Sequence, residues 1–83
     1  MILISVRDSK AETWSPPVCC QNKAVAMRDF GRACTQSSTL MSQCPADFDL
    51  WHVGDWVQDK VVAIQPVHLA NGQDFARSAA GNG

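Results

Sequence analysis

Residues 22–34, NKAVAMRDFGRAC, are where this 83-residue chain shows a helical period, and that stretch limits the fold more than any other. Ala26, Met27, Phe30, Ala33 and Cys34 recur at spacings of three and four and draw one apolar stripe. Asn22 fits the N-cap, where a side-chain oxygen accepts from an orphaned first-turn N–H. Arg28, Asp29 and Arg32 fall on the wet side, and Asp29 and Arg32 are close enough along the helix for a weak pair. Gly31 costs about 1 kcal/mol relative to alanine, a cost explained if another backbone approaches there. A lone amphipathic helix needs a partner layer, and the flanking sequence supplies strands.

Ile2, Ile4 and Val6 alternate with Leu3, Ser5 and Arg7, the period-2 pattern of a strand. Asp8, Ser9 and Lys10 read as a turn. Thr13 and Trp14 resume extended structure, but Pro16 and Pro17 donate nothing to a ladder, so a second strand here is an edge ending near Cys20. After the helix, TQSSTLMSQCP reads as a loop stopped by Pro45. Phe48 and Leu50 then share one strand face, and Asp49, Trp51 and Val53 the other. Gly54 marks a bulge before Trp56. Gln58, Asp59 and Lys60 suit a hairpin turn, and VVAIQPV returns, with Pro66 marking an edge or a strand end. The expected fold is α+β: one helix on a small, mostly antiparallel sheet, in the order β-β-α-β-β. Residues 1–72 form one domain and residues 73–83 a flexible tail, within which Phe75 docks.

Composition narrows the classes. Hydrophobic content of 46% and charged content of 18% fit a folded domain. So short a chain buries a thin core, and oligomerisation is a natural supplement. No apolar run approaches the roughly 20 residues of a membrane span, and MILISV reads as a strand rather than a leader or anchor. The four cysteines form no C-x-x-C pair, and His52 and His68 do not complete a finger spacing, so four reduced thiols and no metal site are expected. Neither histidine shows a partner pattern. No phosphate-loop motif and no nucleophile–base arrangement is present, so the chain does not read as an enzyme, and no cofactor is implied.

What remains is aromatic and cationic. Trp14, Trp51 and Trp56 are many for this length; they suit stacking on unpaired bases, or else a thin core or a dimer seam. Alternation turns Trp51 away from Phe48 and Leu50, which marks it as the most exposed. Arg7, Lys10, Lys23, Arg28 and Arg32 all lie within the first 32 positions, whereas Asp47, Asp49, Asp55 and Asp59 gather later. That segregation suits a phosphate track, two complementary faces that dimerise, or a plain solvated helix face. The net charge of −1 argues against strong generic attraction to nucleic acid.

The ordered set Asp8, Lys10, Ala11; Pro17; Ala26, Arg28, Phe30; Pro45, Asp47, Phe48, Leu50; Gly54 and Trp56 resembles the small nonstructural protein of gokushoviruses. These are tailless Microviridae phages with single-stranded DNA genomes. The resemblance covers about residues 3–64; it departs at Val57, where the family often has aspartate after the aromatic residue. It implies a nonstructural phage protein of the host cytoplasm acting in genome replication or packaging, often by binding single-stranded DNA, and it supplies no active-site residues. Joined to the residue reading, it makes Arg7, Lys10, Trp14, Lys23, Arg28, Arg32 and Trp51 the candidate DNA contacts. A homo-oligomer, first of all a dimer, is expected. The alternative is a protein that works through such contacts with itself and a replication or assembly protein, without touching DNA.

Overall fold

A computed structural model describes residues 1–36 and 39–76. Its elements are β1 (Ile2–Asp8), β2 (Thr13–Trp14), β3 (Val18–Cys20), α1 (Lys23–Thr35), α2 (Leu40–Gln43), a 3₁₀ turn (Pro45–Asp47), β4 (Phe48–Val57) and β5 (Lys60–Asn71). Residues 72–76 are also helical. All the strands join one antiparallel sheet in the order β2-β1-β4-β5, with β3 also on β1. The α+β reading and its element order hold.

The second strand is in two pieces because of the prolines. β2 pairs with Arg7 and Asp8, β3 with Ile2 to Ile4, and Ser15–Pro17 passes between them. Pro16 and Pro17 have no N–H to give, so Ser15 serves the gap alone. Its N–H donates to Val6 C=O at 2.8 Å, and its Oγ accepts from Val6 N–H at 2.9 Å. At the turn ahead of β2, Asp8 Oδ1 accepts from the N–H groups of Lys10 and Ala11, the side-chain turn that aspartate favours.

Helix α1 covers one face of the sheet. Asn22 caps it, accepting from Val25 N–H at 2.9 Å. Ala26, Phe30 and Cys34 bury against Phe48, Leu50 and Ala70, with Ile4, Val6, Cys20, Met27 and Met41 at the margin. Two expectations change here. Asp29 pairs with Arg28 at 3.5 Å rather than with Arg32, and both side chains are more than half exposed, so the pair holds little. Gly31 admits a ring and not a backbone: a Cβ there would lie 2.7 Å from Phe75 Cδ1. Phe75 packs edge-on against Phe30, with ring centres 5.8 Å apart. Residues 73–76 thus belong to the packed unit, while the rest of the expected tail lies outside the described residues.

The segment after α1 is more ordered than a loop. Thr39 caps α2, accepting from Ser42 N–H, and Pro45 begins the 3₁₀ turn, where its missing N–H costs nothing. The bulge expected at Gly54 is present: Leu3 faces Gly54 and Ile4 faces His52, leaving Val53 unpaired on β1's side. The β4–β5 turn has Gln58 and Asp59 at φ 51° and 63°. That is the two-residue turn whose twist matches a hairpin.

Candidate nucleic-acid interface

The face of the sheet opposite α1 carries the site. Pairing Ser5 with Trp51 and Arg7 with Asp49 places both β4 residues on this face, and Trp14 joins them opposite Arg7. From one edge to the other the side chains touch in sequence. The Arg7 guanidinium lies 5.4 Å from the centre of the Trp14 ring, a cation–π contact worth about 0.5–1 kcal/mol where exposed. Trp14 meets Trp51 edge-on at 5.7 Å, and Trp51 meets His68 at 5.0 Å. Nε2 of His68 donates to Asp49 Oδ1 at 2.9 Å, and Asn71 Nδ2 donates to the same oxygen at 3.0 Å. Beneath the row, Ser5 is buried and its hydroxyl donates to Ser15 C=O at 2.7 Å.

The row is graded in exposure. Trp14 is 46% exposed and the His68 side chain equally so. Trp51, between them, is half-buried, and its indole Nε1 is buried with no hydrogen-bond partner. Alternation turned Trp51 to the correct face, but its neighbours cover it, so Trp14 is the more accessible ring. A π-rich strip with a cation at one end suits stacking of unpaired bases, because every base has a π face. It offers no activated nucleophile. Burial pushes the Cys34 thiol above its ordinary value; burial, then Asp29, then Cys19 raise Cys20. All four cysteines are free thiols. Among the described residues no cluster of His, Cys, Asp and Glu is arranged to hold a metal ion, and no helix is long and apolar enough to cross a membrane.

The seven residues singled out from sequence do not form one patch. Arg7, Trp14 and Trp51 come together on the open face, and Lys10 projects from the exposed turn joining β1 to β2. Lys23, Arg28 and Arg32 are exposed on α1, the layer behind the sheet. Sequence reading missed His68 because its partner Asp49 lies on the neighbouring strand, 19 positions away. His52, also thought unpartnered, meets Asp55 at 2.9 Å, since the bulge at Val53 returns both to the helix side.

The family model for the phage ORF5 protein matches residues 1–75. The chain belongs to the phage ORF5 protein family. It is therefore a bacteriophage protein, and every residue of the open-face row lies inside the matched span. No curated protein and no solved structure matches it. For this phage ORF5 protein, the geometry of the row carries the argument about function.

Proposed function

We propose that this phage ORF5 protein is a gokushovirus nonstructural protein that binds single-stranded DNA through the open sheet face, in genome replication or packaging in the host cytoplasm. It acts by binding, without catalysing a reaction. The observation that carries the reading is the continuous contact row Arg7–Trp14–Trp51–His68 on a face that, among the described residues, no helix covers. Bases stack on Trp14 and His68, Trp51 supports both, and Arg7 and Lys10 meet phosphates at one end. The acceptor Asp49 is occupied by His68 and Asn71, so its charge is held within the protein instead of facing the strand.

The test is intrinsic tryptophan fluorescence during titration with a short oligothymidine. Saturable quenching is expected, and Trp14→Ala should weaken binding by about 1–3 kcal/mol, the worth of one stacked base. Lys10→Glu should weaken it further at low salt. A flat signal from the folded protein at low salt would remove the reading. It would leave the second one, in which the protein works by contacts with itself and a replication or assembly protein. The long exposed edge of β5 favours that second reading.

A further inference from the structure

The hairpin of β4 and β5 runs past the core as an arm. Val61 is 66% exposed, Val62 44% and Val67 45%, and on the neighbouring strand Trp56 and Val57 are 41% and 49% exposed. The molecule has a 44 Å long axis and a radius of gyration of 13.0 Å, against about 12 Å for a compact domain of this length. Residues 61–67, VVAIQPV, carry no formal charge. Natural sheets guard such an edge with charge, proline or a bulge. Here Lys60 stands at the tip, and Pro66 falls where the pairing shifts between His52 and Gly54 of β4, so the guards flank 61–63 and leave it open.

The backbone of that window is available. Trp56 N–H donates to Met1 C=O at 3.0 Å, toward β1. Its pairing with Val61 is then of the non-hydrogen-bonded kind, and Val61 and Ala63 turn their N–H and C=O outward. We propose that this edge pairs antiparallel with the same edge of a second copy, about a two-fold axis at Val62. Val61 of each copy lies opposite Ala63 of the other, and each such pair exchanges both backbone hydrogen bonds. An antiparallel strand is its own complement under a two-fold axis, so the interface closes at a dimer. An uncharged edge does not suit phosphate or a strongly charged partner. About the axis at Val62, residues 60–64 of the two copies face one another, a run of about 17 Å. So short a seam falls below the roughly 1,000 Å² of a stable specific interface, which fits a weak, reversible dimer.

This edge lies across the sheet from Trp14, so the dimer does not depend on the DNA reading. Sedimentation velocity of the full chain, from about 1 to about 500 µM, tests it. The wild type should pass from monomer to dimer mass over that range. Ala63→Pro removes one outward N–H without touching the ladder to β4, and Val61→Lys places a charge in the seam. Each should raise the dissociation constant at least about tenfold, with the far-ultraviolet spectrum and oligothymidine quenching unchanged. A wild type still monomeric at the highest concentration would overturn the proposal. So would folded variants that dimerise like the wild type. Loss of quenching in the wild type would count against the DNA reading alone.

Discussion

Two glycines in this small core look alike in sequence and differ in what surrounds them. A Cβ at Gly31 meets the Phe75 ring, which hangs on one side chain and can swing away. Alanine there also recovers about 1 kcal/mol of helix propensity. A Cβ at Gly72 meets the Pro45 carbonyl and lies 2.9 Å from the Sγ of buried Cys34, neither of which can yield cheaply. Gly72→Ala should therefore cost about 2–3 kcal/mol, as overpacking does, whereas Gly31→Ala should stay within about 1 kcal/mol of wild type. Thermal melts of the two variants decide the ranking; equal losses would mean that the Gly72 contact relaxes. The side-chain pairs were the least legible residues. His68–Asp49 and His52–Asp55 join positions that only pairing register or a bulge brings together.

Elements were easier to read than contacts, for a local reason. The stripe on α1 and its Asn22 cap are set by residues within one turn of each other. The β4–β5 turn was legible from its polar trio. The strain there was not: Gln58 and Asp59 both sit in left-handed backbone, which costs about 1–2 kcal/mol per ordinary residue. Replacing the pair with Asn-Gly should raise stability by about 1 kcal/mol or more, since those residues accept positive φ. A urea melt that shows no gain would mean that other contacts offset the strain. The stretch read as a loop after α1 contains α2 and a 3₁₀ turn, because Thr39 and Pro45 start short helices whose few residues show no period.

At the scale of the molecule, the proposed DNA binding depends on how many cations share the open face. The helix puts Lys23, Arg28 and Arg32 behind the sheet, so under the proposed reading a strand on the open face would engage Arg7 and Lys10. The slope of log affinity against log salt should then be about −1.4, from about 0.7 per phosphate contact, and not the roughly −3.5 that all five cations would give. Titrations at several salt concentrations separate the two, and the steeper slope would move the proposed site to the helix or around the edge. The sheet-and-helix layout follows from periodicity and proline placement, because alternation and a 3.6-residue stripe are short-range properties of the chain. Which face stays open, that Trp51 is flanked by Trp14 and His68, and that five clustered cations divide between two layers are long-range outcomes. They were decided by the order β2-β1-β4-β5 and by the bulges that set its register. One helix covers only one side of a sheet, so the side it takes determines which residues are left to meet a partner.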